Sequence, residues 1–195
     1  MYVADLGVDQ VRVYDVDSAS GKPTRTASSL GQFPKGSGPR HLAFHPSNTY
    51  VFVNNELSSS VTVFAHDAGS AALKELQTVS TRPPGFEGAN NTAEILVSAD
   101  GKFVYVSNRG HNSIAVFQVD ETTGRLSLLE TTPSGGDWPR DFKFDPTGGF
   151  LLVEHQKSDN IVVLRVDRIT GKVTPTGNEL RVSKPVSIAF MPVPK

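Results

Sequence analysis

Short apolar runs with two-residue alternation recur along the whole chain, and no stretch keeps a helical period. Four segments share one form: an apolar run leads into a polar turn and then into an alternating strand that ends at an acidic residue. These segments are YVADLGVDQVRVYDVD, YVFVNNELSSSVTVFAHD, FVYVSNRGHNSIAVFQVD and FLLVEHQKSDNIVVLRVD. The pattern predicts an all-β protein built from internal repeats.

A second series of apolar segments consists of GPRHLAFHP, TAEILVSAD, WPRDFKFDP and KPVSIAFMP. Turns rich in Pro, Asn, Asp and Gly join the two series, and a further strand follows each acidic stop. Each repeat is therefore predicted to hold four strands, named a to d, which in the second repeat are PRHLAFHP, YVFVNNE, SVTVFAHD and LKELQTVS. Four-stranded antiparallel sheets that repeat radially are the blades of a β-propeller.

The repeats predict one partial propeller domain over residues 1–195, with repeat boundaries at about 1–34, 35–86, 87–134 and 135–195. Counting PVSIAFM as a final strand a gives sixteen strands, or about four blades. This strand could close a four-bladed ring by pairing beside YVADLG, or the chain could be part of a larger ring. We expect the second arrangement, an open arc with exposed edges.

Composition narrows the possible functions. The formal net charge is −1, which disfavours a nucleic-acid or anionic-membrane surface, and zero cysteines exclude disulfides and thiolate chemistry. The absence of cysteine fits a cytoplasmic protein, which is the expected location, and no run of 18 apolar residues that could span a bilayer occurs. No GxSxG, Walker, Rossmann or HExxH motif occurs, and neither a cofactor nor a metal is predicted.

The antiparallel meander places the starts of a strands and the ends of b strands on the same rim. That rim collects most of the ionisable candidates, which are Arg40, His41, Glu56, Glu94, Arg109, His111, Arg140 and His155. A concave rim with convergent charges is the default position for a site. Metal ligation is disfavoured because the histidines come from different blades.

Each candidate also has a structural interpretation. Arg40 and Arg140 both follow Pro and stand at the same position of two repeats. This repetition favours a role facing the central channel and a role at the outer surface equally. Glu56 and Glu94 could form interblade salt bridges instead of acting in catalysis. Asp9, Ser59, Asn112 and Asp159 are interpreted as turn formers, Trp138 as a packing residue, and His45 and His66 as structural.

The segments GPRHLAFHP, VNNEL, VYVSNRGHNSIAVF and WPR-F-FDPTG-FLLV together resemble the lactonase family of seven-bladed propellers. That family includes the cycloisomerase-type 6-phosphogluconolactonases and the carboxy-cis,cis-muconate cyclases. The resemblance covers nearly the whole chain. It implies a ring of about twice this length, in which this chain is the C-terminal half.

The resemblance also implies a site. The family's arginines and glutamate correspond to Arg40, Glu56 and Arg109, which are the predicted catalytic residues, and the family's histidine would precede Met1. His41, Glu94, His111, Arg140 and His155 are the predicted substrate-binding residues. Two positions depart from the family: Asp141 replaces a histidine, and VEHQ replaces a small residue and asparagine before Gln156.

The implied activity is that of a lactone hydrolase or lactone-forming enzyme of carbohydrate metabolism, most similar to 6-phosphogluconolactonase of the pentose phosphate pathway. Its partner would be a small anionic lactone, with no nucleic acid and no membrane. A homo-oligomer could cover the open propeller edges. The alternative is a non-catalytic binding or scaffold propeller, or an inactive truncated product.

Overall fold

The computed structural model describes residues 1–191, apart from the side chains of residues 27–30. It confirms an all-β architecture of consecutive antiparallel sheets. The first sheet contains β1 (Tyr2–Asp5), β2 (Gln10–Val16) and β3 (Pro23–Gln32), with a short 3-10 helix at Leu6–Val8. Within the described residues, no helix is long and apolar enough to cross a membrane.

The other three sheets have four strands each. The second sheet contains β4 (Pro39–Phe44), β5 (Tyr50–Asn55), β6 (Ser60–Asp67) and β7 (Ala72–Ser80). The third contains β8 (Asn91–Val97), β9 (Phe103–Arg109), β10 (Ser113–Val119) and β11 (Leu126–Pro133). The fourth contains β12 (Pro139–Phe144), β13 (Phe150–His155), β14 (Asn160–Val166) and β15 (Val173–Arg181).

The predicted strand order a-b-c-d is confirmed in these three sheets, where each strand pairs with its sequence neighbours. The a strands β4, β8 and β12 contact one another across the sheets and line the inner side of the arc. The starts of a strands therefore lie beside the ends of b strands, as in the pairings Pro39↔Asn55 and Pro139↔His155.

The prediction of a sixteenth strand at PVSIAFM is wrong in this structure. Residues 185–191 form no strand, and β1 pairs only with β2 at the edge of a three-stranded first sheet. An apolar run becomes a strand only when a neighbour satisfies its backbone N–H and C=O groups, and the described residues supply none here. Residues 1–191 therefore form an open arc and not a closed four-bladed ring.

Apolar side chains between adjacent sheets hold the arc together. Val11, Val51, Val53 and Phe64 form the cluster between the first and second sheets. Larger clusters join the second sheet to the third, around Phe52 and Phe117, and the third to the fourth, around Phe142 and Leu151. The alternation read from the sequence places these residues on blade faces, where Val, Ile and Phe pack well.

Tyrosines near the starts of b strands link each sheet to the next. The Tyr50 hydroxyl donates to the Thr122 carbonyl (2.8 Å), and the Tyr105 hydroxyl donates to the Gly171 carbonyl (2.8 Å). In both cases the acceptor lies in the turn between strands c and d of the following sheet. These bonds satisfy the tyrosine hydroxyls, of which that of Tyr105 is buried, and tie consecutive blades together.

The turns between strands b and c adopt one conformation throughout. Asp9, Ser59, Asn112 and Asp159 all have positive φ, at 55°, 51°, 56° and 55°. Their side chains also bind the segment that leads into the next blade; for example, Asp9 accepts bonds from the Gly36 and Gly38 amides. The interpretation of these four residues as turn formers is therefore confirmed.

Candidate active site

The a strands of the second, third and fourth sheets each begin with a β-bulge. The register shifts between Pro39 and His41, between Thr92 and Ile95, and between Pro139 and Asp141. A bulge adds one residue to a strand and redirects the neighbouring side chains. Arg40 NH1 consequently lies 3.1 Å from both ring nitrogens of His41, although consecutive strand residues normally point to opposite faces.

One carboxylate joins two arginines at this rim. Glu56 Oε2 lies 3.2 Å from Arg40 Nε, and Glu56 Oε1 lies 2.8 Å from Arg109 NH2. Arg109 also donates to the Thr92 carbonyl (2.7 Å), and Arg40 donates to the Ala93 carbonyl. Both guanidiniums are thereby held against the bulge of β8, so their positions are fixed by backbone groups as well as by Glu56.

The triad carries more positive than negative charge in a largely buried place. Burial and the neighbouring charge of Arg109 lower the pKa of Arg40, while Glu56 and Glu94 act in the opposite direction. Two guanidiniums and one carboxylate leave a surplus of one positive charge. A bound anion would offset this surplus, because charge-assisted bonds from guanidinium to carboxylate or phosphate are strong.

A second group of charges continues from His41 along the a strands. His41 Nδ1 lies 2.9 Å from Glu94 Oε2, and Lys143 Nζ lies 3.8 Å from Glu94 and 3.3 Å from Asp141. Burial acts to raise the pKa of Glu94, but the hydrogen bond and charge of His41, together with Lys143 and Asp141, outweigh burial, so this pKa is lowered. Burial and the charge of Glu94 raise the pKa of Asp141. Of the two carboxyl groups, Asp141 is therefore the one that is protonated more readily as pH falls.

Glu154 and His155 lie at the end of β13 and are fully buried. Burial, assisted by the charge of Asp141, raises the pKa of Glu154 to about 7, whereas burial lowers the pKa of His155 to about 4. Among the described residues, neither side chain has a hydrogen-bond partner. The structure therefore places His155 behind the rim, without exposed surface and apart from the arginine–glutamate triad.

Arg140 occupies the bulge of β12, at the position that Arg40 has in β4. Its guanidinium donates to Gln156 Oε1 (3.3 Å), and in the described part of the chain it forms no ion pair. The neighbouring Trp138 has a positive φ of 68° and holds Lys157 Nζ over its ring at 3.2 Å. The Arg109 guanidinium lies 5.5 Å from the same ring, so Trp138 borders the triad.

His111 lies in the turn after Arg109 but points elsewhere. Its Nδ1 lies 2.8 Å from Ser113 Oγ, and its ring packs against Phe86 with centroids 4.7 Å apart. The structure therefore brings Arg40, Glu56 and Arg109 into contact and leaves His111 outside that group.

Two residues of the rim, Lys143 and Gln156, lie outside the set of predicted site residues. Lys143 could have been found, because it is two residues beyond Asp141 on a strand and therefore shares its face.

Among the described residues, no group of three or more His, Asp or Glu side chains is placed to hold a metal ion.

The other rim carries a cavity of about 520 Å³ between the third and fourth sheets. Phe103, Tyr105 and Phe144 line it, together with Asp100 and Arg168 at its mouth. It contains none of the residues of the arginine–glutamate triad, and its lining is mainly apolar.

Fold and site together define a β-propeller whose inner strands present a charged site on one rim. The family described as "Lactonase, 7-bladed beta-propeller" matches residues 1–190, and the chain belongs to this family. The chain forms four of the blades in this structure, the first of them with three strands.

Named relatives agree with this assignment. The chain is 39% identical over 187 residues to 6-phosphogluconolactonase of Bacillus subtilis (strain 168), covering 96% of this chain and 52% of that protein. The structure of a periplasmic gluconolactonase of Pseudomonas aeruginosa is similar with a TM-score of 0.91 and 38% identity, over 99% of this chain and 54% of that one. A protein of Lactobacillus plantarum is similar with a TM-score of 0.90 and 39% identity, over 95% and 53%. The chain thus spans about half the length of the curated relatives it matches.

Proposed function

We propose that this chain provides the arginine–glutamate site of a lactone hydrolase that acts on an anionic sugar lactone of the 6-phosphogluconolactone type. The observation that carries the proposal is the Arg40–Glu56–Arg109 triad, in which one carboxylate joins two partly desolvated guanidiniums at the rim. Membership of the lactonase family and the names of the relatives support it.

Hydrolysis of a lactone requires an activated water and stabilisation of the negative oxygen that forms when water attacks the carbonyl carbon. In the proposed mechanism Arg109 is the donor for this oxyanion, since its guanidinium is already aligned by Glu56 and by the Thr92 carbonyl. A donor that is fixed before the reaction needs no reorganisation as the charge develops.

The anionic group of the substrate would bind to Arg40 and Arg140. These arginines occupy equivalent bulges in different blades, and Arg140 is engaged only by a neutral amide among the described residues. A guanidinium suits phosphate and carboxylate because its donors match two oxygens at once. A phosphorylated sugar lactone fits this arrangement, and the same groups could catalyse lactone formation in the reverse direction.

The rival function is a non-catalytic binding or scaffold propeller, and one observation favours it. Arg40, Arg109 and Glu56 already satisfy one another, which is also what a structural interblade salt bridge would do. A catalytic site and a structural network differ in one measurable respect, which is turnover of a lactone above its spontaneous hydrolysis.

The test is release of acid from 6-phosphoglucono-δ-lactone and glucono-δ-lactone, followed at constant pH with the purified chain. The same assay on a version extended by the N-terminally preceding genomic sequence identifies any requirement for residues outside this chain. Faster hydrolysis of the phosphorylated lactone by either version supports the proposal. Rates equal to the spontaneous reaction for both versions would overturn it.

We further propose a cytoplasmic location, to be tested by cell fractionation against the periplasmic one named for the Pseudomonas aeruginosa relative.

A further inference from the structure

His41 and Glu94 form a pair with unequal access to solvent. Their side chains are 42% and 10% exposed, and His41 Nδ1 lies 2.9 Å from Glu94 Oε2. His41 is thus at the surface of the rim, beside Arg40, while the carboxylate that holds it lies behind. An imidazole at the surface with a buried carboxylate behind it is an arrangement that can orient a base.

The hydrogen-bond partners assign the imidazole tautomer. The lowered pKa of Glu94 leaves it an ionised carboxylate, which can only accept a hydrogen bond. Nδ1 of His41 must then carry the hydrogen, and Nε2 carries the free lone pair in the neutral ring. The guanidinium of Arg40 is a donor only and lies 3.1 Å from both ring nitrogens, so it does not select a tautomer, and the assignment rests on Glu94.

The other carboxylate of the rim is less suited to be a base. Glu56 engages one guanidinium with each oxygen, at 3.2 Å and 2.8 Å, so accepting a proton would disrupt two charge-assisted contacts. His41 would gain a proton on an imidazole that is 42% exposed, and Glu94 would stabilise the resulting imidazolium. With His41 and Glu94 in these roles, activation of water would not depend on the family histidine that the resemblance places before Met1.

We propose that His41 is the general base of the lactonase reaction, and that Glu94 is a positioning residue that fixes its tautomer and orientation. This inference rests on the proposed function, and it names the residue that activates water at that site.

The proton balance is complete with water as the only co-reactant. His41 Nε2 takes one proton from water as the water oxygen forms a bond to the lactone carbonyl carbon. The ring C–O bond then breaks, and the leaving alkoxide recovers that proton from the imidazolium to become a hydroxyl. The product is a hydroxy acid, whose carboxyl proton is released to solvent.

Several charged groups surround His41 and would influence any pH dependence. Arg40 lies beside it on the same strand, and Glu94 faces it from β8. Lys143 and Asp141 of β12 lie behind Glu94, and Glu56 lies on the far side of Arg40. The neighbour from β5 is the neutral amide of Asn54, whose oxygen accepts from the His41 backbone N–H (2.8 Å).

Kinetics of the active version provide the first test. His41→Gln keeps a donor for Glu94 but removes the base, and we expect kcat to fall by about 10²- to 10⁴-fold with little change in KM. His41→Ala should recover activity when free imidazole is added, whereas Arg109→Ala should not. His45→Gln is the matched control, since His45 lies on the other rim and bonds to Ser47. Circular dichroism and thermal unfolding verify that each variant is folded.

Nitrogen-15 NMR of the imidazoles provides a test that does not require turnover, with His41→Gln used to assign the signal. We expect the neutral ring of His41 to carry its hydrogen on Nδ1, and Glu94→Gln to change the tautomer ratio. The same variant should shift the pH–rate profile and lower kcat more than it raises KM, which a purely structural role would not do.

The outcomes separate the two proposals. An active parent whose His41→Gln variant keeps its kcat, or a ring of His41 protonated on Nε2, overturns the base assignment and leaves the lactonase function intact. A parent without turnover in either version overturns the function and the base with it. Loss of kcat with imidazole rescue and the Nδ1–H tautomer supports both.

Discussion

Glu154 lies directly opposite Asp141 in the register of β12 and β13, and the two residues are 0% and 6% exposed. At the same register position in the preceding sheets, neutral side chains accept the backbone N–H of the bulge, namely Asn54 from His41 and Ser107 from Glu94. The fourth sheet replaces that neutral acceptor with an acid. Strand β13 therefore carries a buried carboxyl group that is protonated over much of the acid range.

This pair gives a prediction about pH and stability. Burial, assisted by Asp141, raises the pKa of Glu154 from 4.5 to about 7, so between these values the folded chain binds more protons than the unfolded chain. The contribution to stability is complete below about pH 4.5 and is lost as pH rises through 7. Glu154→Gln should remove this loss. From pH 4.5 to pH 8, the difference in free energy of unfolding between the variant and the parent should shift in favour of the variant by on the order of 3 kcal/mol.

Urea unfolding at pH 5, 6, 7 and 8 measures the difference. Glu121→Gln is the matched control because Glu121 is exposed in the turn that follows β10. Parallel slopes of stability against pH for the parent and Glu154→Gln would contradict the prediction.

His155 should show the opposite dependence. Burial lowers its pKa from 6.5 to about 4, so its contribution to stability is complete above pH 6.5 and is lost as pH falls toward 4. Proton NMR of the imidazole ring should show His155 neutral at pH 5 and titrating near pH 4. A midpoint above 6 would mean that the ring is solvated and accessible from the rim.

Arg109→Ala should affect turnover more than stability if this guanidinium stabilises the transition state. We expect kcat to fall by about 10²-fold or more at saturating substrate, as for other single oxyanion donors. Arg181→Ala is the control, since Arg181 forms an ion pair with Glu179 while 71% of its side chain is exposed. Equal rates in Arg109→Ala and the parent would favour a structural salt bridge.

Gly110 offers a way to displace Arg109 through the backbone. Gly110 has φ of +118°, and a Cβ there would collide with the Ala89 carbonyl oxygen. Gly110→Ala should therefore destabilise the fold and lower kcat together. Gly148→Ala is the control, because Gly148 has φ of +68° with open space around it and should cost only about 1 kcal/mol of conformational strain. Comparable losses of stability in both variants would show that the turn after β9 can relax.

The strands and turns could be predicted because the sequence signals for them lie within a few neighbouring residues. Two-residue alternation marks the blade faces, as at Val51 and Val53, and turn residues such as Asp9 and Asn112 adopt the positive φ that their side chains tolerate. The meeting of Arg40, Glu56 and Arg109 also followed from the strand order. PVSIAFM carries the same local pattern as other a strands, yet pairing depends on a neighbouring strand, which no local pattern reveals.

The details of the site were harder to predict. The bulge at Arg40 has no strong propensity signal, but it alone brings Arg40 and His41 to the same side of the strand. The opposite protonation preferences of Glu94 and Asp141 arise from burial and from His41, which belongs to another sheet. These pKa shifts depend on distances between side chains of different blades, and the spacing of the repeats along the sequence does not give those distances.

The bulge at the start of each a strand brings one polar residue per blade to an equivalent position on the rim. His41, Glu94 and Asp141 occupy these positions in consecutive blades, each beside the register shift of its own a strand. Because backbone hydrogen bonds set the register of the strands, we expect a substitution at one of these positions to change the charge of the rim and to leave the pairing of the strands intact. Under the proposed function, one residue per blade would then be enough to change which anion the rim accepts.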